Sequence, residues 1–124
     1  MSPEISSAQM AVYRATARQR RVQKAQALAL RRQRAWEVAR QAARTLKEQF
    51  GARRVAVFGS VSSAQRFHQR SDVDLAVWGL DEKAYYRAVS RLLDVDPAIP
   101  IDLVEMELAP SNLRHIIEQE GVLL

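Results

Sequence analysis

Two stretches of the sequence decide its fold: residues 53–60 read RRVAVFGS, and residues 71–78 read SDVDLAVW. The first is a short run with high β-propensity that stops at Gly59. The second alternates acidic and apolar residues and then becomes wholly apolar, which predicts a strand with one hydrated face in its first half. Asp72 and Asp74 stand two positions apart, so their side chains point to the same face of that strand.

A third run, residues 99–105, supplies another acidic side chain in an apolar setting. Asp102 lies between two aliphatic residues, and in a strand it projects from the face opposite to theirs. If the second and third strands pair, their carboxylates converge on one side of the sheet. The sequence therefore predicts an acidic site formed by Asp72, Asp74 and Asp102.

Upstream of these strands, residues 8–49 contain neither Gly nor Pro and are rich in Ala, Gln, Arg and Leu, which predicts a helix. Unbroken, this helix would be about 63 Å long, whereas a compact chain of this size has a radius of gyration of about 14 Å. The helix must therefore project, break or pack on another chain, and we expect a break or bend between Gln23 and Arg31. Gly51 is expected to cap its C-terminus.

The remaining elements complete a mixed architecture. Asp81 is expected to cap the helix after the second strand, and Pro110 to start a last helix over residues 110–119. Residues 122–124 are expected to form a short strand or an apolar tail. The order of elements predicts an α/β (α+β) fold: a small mixed β-sheet with flanking helices, preceded by a long N-terminal helical arm.

The predicted site has an acidic half and a phosphate-binding half. Neighbouring carboxylates repel one another unless cations neutralise them, and Mg²⁺ prefers oxygen ligands and shares them with substrate phosphates. Gly59 would let the backbone approach a phosphate, to which the Ser60 hydroxyl and the following amides would donate. Alone, each feature also fits a tight turn or a solvated edge strand. Together they suit the transfer of a nucleoside monophosphate from a nucleoside triphosphate, with a pair of metal ions.

The chain resembles the polymerase-β-type nucleotidyltransferases in three motifs: Gly59-Ser60, Asp72-Val73-Asp74-Leu75 and Ile101-Asp102-Leu103. More narrowly, it is similar to the minimal nucleotidyltransferases, or MNT proteins, from about Ala35 to its C-terminus. The resemblance divides the chain into a basic helical N-terminal extension, 1–34, and a minimal nucleotidyltransferase domain, 35–124. It implies that Asp72 and Asp74 bind two Mg²⁺ ions, with ATP as the substrate. Asp102 would be the third catalytic and metal-binding carboxylate, which orients or deprotonates the incoming hydroxyl.

The resemblance also implies a partner. MNT proteins are commonly antitoxins paired with HEPN-domain RNase toxins, and some silence the toxin by transferring AMP to one of its tyrosines. We therefore expect a Mg²⁺-dependent protein adenylyltransferase with a HEPN-type toxin as its partner. Other members bind their partners without known catalysis, so a module that neutralises by contact is the alternative. A small-molecule acceptor, such as an aminoglycoside, would usually require an additional substrate domain.

The loop 61–70 departs from the family pattern because it lacks the Arg-Gly that often follows Gly-Ser. We expect Arg66 to serve as the missing phosphate contact, and Arg70 is the other candidate. For His68, a solvated position is favoured over contact with substrate. Packing is likewise favoured over base stacking for three aromatic residues: Trp78, Tyr85 and Tyr86.

Charge is distributed unevenly: residues 1–50 hold 11 Lys/Arg and 3 Asp/Glu, whereas residues 51–124 hold 8 and 11. The basic clusters Arg20-Arg21 and Arg31-Arg32, followed by Arg34, fit contact with an acidic protein surface or, secondarily, a nucleic-acid backbone. A solvated helix and a homo-oligomer formed through this helix are the alternatives.

The absence of cysteine excludes disulfides, Cys-type zinc sites and thiol catalysis. No apolar run approaches the length of a membrane span, and the start of the chain lacks the order of a secretory signal. We therefore expect a soluble cytoplasmic protein that does not bind membranes.

Overall fold

The computed structural model describes residues 4–124, so the first three residues of the predicted extension lie outside the described part. Within it, four strands form one sheet: β1 (Arg54–Phe58), β2 (Val73–Trp78), β3 (Ile101–Glu105) and β4 (Val122–Leu123). Their order across the sheet is β3-β2-β1-β4. Strand β1 pairs antiparallel with β2 and β4, while β2 pairs parallel with β3.

Three α-helices accompany the sheet in the same part of the chain: α1 (Ser7–Phe50), α2 (Tyr85–Leu92) and α3 (Ser111–Glu120). The predicted mixed sheet with flanking helices and a long N-terminal helix is thus confirmed. None of these helices combines the length and apolar character needed to cross a bilayer.

The strands divide their side chains between two faces. On β2, Val73, Leu75 and Val77 are fully buried in the main core, which also contains the apolar side of α1. The opposite face carries a smaller cluster built from the strands, α3 and the segment before it: Phe58, Ala76, Met106, Ala109 and Ile117. The first face is therefore covered by the long helix, whereas α3 covers only part of the second.

The C-terminal half of α1 docks on the sheet through small residues. Its buried side chains are Ala35, Val38, Ala39, Ala42, Ala43 and Leu46. Gly51, at φ 70°, adopts the left-handed conformation that ends the helix, as predicted.

The N-terminal half of α1 projects from the body. Every side chain from residue 4 to 27 is exposed except Thr16, which is half-buried. The predicted break between Gln23 and Arg31 is wrong, because the α-helix is continuous over its 44 residues, and the alternative of a bend there stays a prediction. No Gly or Pro interrupts its hydrogen bonds, and Ser6 caps its start in a reciprocal pair of bonds with Gln9.

Local signals elsewhere place the other elements close to their predicted positions. Asp81 accepts a hydrogen bond from the Lys83 backbone (3.1 Å) and caps a short 3₁₀ turn, Glu82–Ala84, before α2. Pro110 immediately precedes α3. The C-terminal residues add the edge strand β4.

Two leucines of α1 test which face of the helix packs on the sheet. Leu46 is fully buried and Leu30 is 66% exposed. We expect Leu46→Ala to lower the free energy of unfolding by about 2–5 kcal/mol, because it leaves a cavity under the helix. Leu30→Ala should change it by less than about 0.5 kcal/mol. Urea unfolding measures both, and a comparable loss in the two variants would contradict the outward orientation of Leu30.

Candidate functional site

The three predicted acidic residues lie on one face of the sheet, where β2 and β3 begin. The parallel register places Asp74 directly opposite Asp102. Asp72 immediately precedes β2 and, two positions before Asp74, lies on the same face. Asp72 and Asp74 are half-buried and Asp102 is exposed. The structure thus brings the acidic half of the site together on the face that α3 covers only in part.

Asp74 is the electrostatic centre of this group. Burial, followed by the negative charges of Asp102 and Asp72, raises the pKa of Asp74 to about 6. Its ionised form is therefore disfavoured when no cation is close by. A positively charged ligand at this position would relieve that penalty.

Gly59 closes the site from the neighbouring strand. Phe58 at the end of β1 pairs with Asp74, so the next residue lies against the Asp74 carboxylate. A Cβ atom on Gly59 would collide with that carboxylate, and φ is 73°. Both the close approach and the backbone conformation therefore require glycine.

The chain turns sharply after Gly59. Residues Gly59–Ser62 form a 3₁₀ turn, in which the Ser62 hydroxyl donates to the Gly59 carbonyl at 2.6 Å. Ser60 is half-buried in this turn. The predicted phosphate contacts, Gly59 and Ser60, are thus adjacent to the acidic residues.

The loop residues behave differently from the turn. Arg66 is bonded to Glu120 at the end of α3, with 3.2 Å between Nη2 and Oε2. Its role as a phosphate contact stays a prediction. His68 and Arg70 are exposed, and the Arg70 backbone donates to Nδ1 of His68 at 3.2 Å.

The three aromatic residues considered for base stacking each contact another side chain or the backbone of the protein. The Tyr85 hydroxyl donates to the Leu103 carbonyl at 3.0 Å, and burial is the main cause that raises the pKa of Tyr85. The guanidinium of Arg54 lies 5.0 Å from the centre of the Trp78 ring. Tyr86 is 83% exposed, with its ring edge-on to that of Tyr85.

Sequence reasoning missed two residues that contact the loops around the site. Arg31 and Arg32, predicted as part of an outward basic stripe, instead donate to backbone carbonyls of Ser71 and Val61. The available signal was their position, one turn before the helix starts to dock at Ala35.

The acidic residues suit a Mg²⁺ ion that protein and substrate bind together, rather than one enclosed by protein ligands alone. Within residues 4–124, no three His, Cys, Asp or Glu side chains are grouped closely enough to hold a metal ion by themselves. Mg²⁺ is usually bound through one or two carboxylates together with water and substrate phosphates. The adjacent carboxylates of Asp74 and Asp102, next to a backbone turn, match that mode of binding.

Comparison with known families identifies the family of this chain. A family model described as polymerase beta, nucleotidyltransferase matches residues 40–124. The chain belongs to this nucleotidyltransferase family. A comparison with curated proteins finds none that matches the sequence.

Solved structures share the nucleotidyltransferase fold. A chain of a mutant toxin–antitoxin is 25% identical, with a TM-score of 0.57, and the match covers 68% of this chain and 69% of the other. A toxin–antitoxin with AMP-PNP gives 24% identity and a TM-score of 0.55, covering 67% and 69%. The toxin–antitoxin MntA-HepT gives 20% and 0.53, covering 71% and 69%. At the lower identities, the likeness shows the fold alone.

Two glycines with similar backbone angles test the role of Gly59. Gly51 has φ 70° and free space around its missing Cβ, whereas Gly59 has φ 73° and faces Asp74. Alanine at either position should cost about 1–2 kcal/mol of stability. Only Gly59→Ala should displace the carboxylate, and we expect it to weaken Mg²⁺–AMP-PNP binding by about 10-fold or more. Calorimetric titration measures this, and equal affinities of the two variants would refute the close approach.

The raised pKa of Asp74 predicts a pH-dependent gain in stability for Asp74→Asn. Above pH 6 the native carboxylate is ionised at a cost that asparagine does not have, whereas below the ordinary value of 3.8 both forms are neutral. We expect the variant to be more stable at pH 7 by about 1 kcal/mol, after discounting for solvent screening, or about 3–5 °C in Tm.

This difference should shrink as the pH falls from 6 towards 4 and then disappear. Thermal unfolding in EDTA across this range measures it. The exposed Asp94 provides the control, since Asp94→Asn should have a small effect throughout. If Asp74→Asn is less stable than the parent protein at pH 7, the ionised Asp74 carboxylate does not destabilise the fold.

Proposed function

We propose that the protein is a Mg²⁺-dependent nucleotidyltransferase that transfers AMP from ATP to a tyrosine hydroxyl of a HEPN-type RNase toxin, acting in the cytoplasm as its antitoxin. The observation that carries the proposal is the position of Asp74. It lies opposite Asp102 and against Gly59, and its pKa is raised by burial and then by the neighbouring carboxylates. This arrangement concentrates negative charge beside a turn that suits a phosphate.

Each residue has a distinct task in this proposal. Asp72, Asp74 and Asp102 would hold Mg²⁺, which neutralises phosphate charge and activates the attacking oxygen when it is bound. Gly59 leaves room for the Asp74 carboxylate, and Ser60 on the turn that follows would donate to the triphosphate. The acceptor oxygen forms a bond to the α-phosphorus, while the bond to the leaving pyrophosphate breaks.

The acceptor's proton needs a base that the acceptor can reach. Asp102 is exposed on β3, which is an edge strand of the sheet, whereas Asp74 is half-buried between its neighbours. Asp102 is therefore the carboxylate best placed to orient the incoming hydroxyl and to take its proton.

The solved relatives support the choice of nucleotide and partner. The three structures described above are toxin–antitoxins, and one of them contains AMP-PNP, an ATP analogue. That this chain also binds ATP and a toxin is part of the proposal. The HEPN class of the toxin and the tyrosine acceptor rest on the resemblance to MNT proteins.

The second candidate is a module that neutralises its partner by contact. The projecting part of α1 favours it, because Met10, Val12 and Tyr13 are exposed there among basic residues. Such a surface can bind a protein without any chemistry at the carboxylates.

A transfer assay tests the proposal. The protein is incubated with its HEPN partner, Mg²⁺ and ATP labelled at the α-phosphate, and we expect label on the toxin together with released pyrophosphate. Asp72→Asn and Asp74→Asn should each lower the rate at least about 100-fold, because metal binding contributes several kcal/mol to transition-state stabilisation. Asp94→Asn serves as the matched acidic control. If the unaltered protein leaves the toxin unlabelled, the proposed enzymatic activity is rejected.

Toxin neutralisation separates the two candidates. An enzyme loses neutralisation with Asp74→Asn. A contact module keeps it with that variant and loses it when residues 1–23 are removed. This truncation ends before Arg31 and Arg32, so the contacts of these residues with the body are retained.

A further inference from the structure

We propose that Arg31 and Arg32 are positioning residues that hold the backbone segments carrying the candidate site. The kinetic part of this inference rests on the proposed nucleotidyl transfer, whereas its structural part does not. Both arginines extend from the face of α1 that turns towards the sheet, and both are half-buried. Neither of them forms an ion pair in the described part of the chain.

Arg32 holds the phosphate-binding turn from behind. Its Nε donates to the Val61 carbonyl at 3.1 Å. Val61 follows Ser60 directly and is fully buried. The hydrogen bond therefore fixes the backbone one residue beyond the predicted phosphate contacts.

Arg31 connects the two strands that bring the carboxylates together. Its Nη2 donates to the Ser71 carbonyl, one residue before Asp72, and its Nη1 donates to the Ala98 carbonyl, both at 3.2 Å. Just beyond Ala98, the Pro100 carbonyl accepts from the Val73 backbone at 2.9 Å. One guanidinium thus bridges the chain where β2 and β3 start, next to the register that sets Asp74 opposite Asp102.

Arginine is suited to this position and lysine is not. A guanidinium presents its donors in a rigid planar fork, so one side chain can reach two carbonyls at a fixed separation. A lysine ammonium is a point charge on a flexible stem and cannot impose that spacing. The Nε of Arg31 is buried with no partner among residues 4–124, which is consistent with a side chain held by its two terminal nitrogens.

Nearby arginines of the same helix provide a contrast. Arg34 pairs with the carboxylates of Glu37 (3.1 Å) and Asp96 (3.0 Å) at the surface. Arg44 is exposed and forms no ion pair or side-chain hydrogen bond within the described chain. Of these arginines, Arg31 and Arg32 donate to carbonyls that flank the candidate site. Arg44 does not, and it therefore serves as the control for loss of an arginine from this helix.

Amide hydrogen exchange tests the structural part without any activity. We expect Arg32→Met to accelerate exchange over residues 59–63, and Arg31→Met to accelerate it over 71–75 and 98–103. Exchange in α3 should not change, and Arg44→Met should match the unaltered protein everywhere. If Arg31→Met does not fold, the same segments are measured in Arg31→Lys. Unchanged or uniformly faster exchange would overturn the inference.

Kinetics test the consequence for the site. Arg31→Met should lower kcat by about 10–100-fold through misplaced carboxylates, and Arg32→Met should mainly raise KM for ATP. Arg31→Lys should recover only part of the loss, and Arg44→Met should stay within about twofold of the unaltered protein. If Arg31→Met and Arg32→Met change kcat and KM by the same factors, the two arginines do not have separate positioning roles. If the unaltered protein transfers nothing, the proposed function fails, and the exchange data still decide this inference.

Discussion

The burial of Val73, Leu75 and Val77 against the long helix is the constraint on which the candidate site depends. Because side chains alternate along a strand, burial of these three forces Asp72 and Asp74 onto the opposite face. A slip of one residue would place carboxylates in the core and aliphatic side chains in water, so the register is strongly specified. Core packing thus determines where the acidic residues point.

The site itself contains features that are energetically unfavourable, and the stability of the core offsets their cost. Asp74 is half-buried beside two other carboxylates, and its pKa rises to about 6 as a result. Gly59 adopts a positive φ in contact with it. Neither feature stabilises the fold, and both are typical of positions kept for ligand binding. A cation and a phosphate would satisfy what the protein alone leaves unsatisfied.

Much of this architecture could be predicted because it is encoded locally. Alternation in residues 71–78 predicted β2 and the direction of its acidic residues, and the end of α1 followed from Gly51, whereas Asp81 caps the 3₁₀ turn before α2 and not α2 itself. The predicted break in α1 was wrong because it assumed a compact chain, whereas uninterrupted helix-forming residues continue past the body. The pairing of Arg66 with Glu120 joins residues distant in sequence, and no local pattern reports it.

Arginines show most clearly what sequence leaves out. Arg31 and Arg32 donate to backbone carbonyls. Because every residue has a backbone carbonyl, neither composition nor spacing indicates which residues accept these hydrogen bonds. The basic charge of α1 therefore has two parts. From Arg31 onward some of it is bonded to the body, and these contacts cross the predicted boundary at residue 34. Upstream, from Arg14 to Lys24, it is exposed on a projecting helix. Of the basic clusters predicted to contact a partner, Arg20-Arg21 is exposed and Arg31-Arg32 is bonded to the body, so the cluster free to meet a partner lies further upstream than the whole basic stripe.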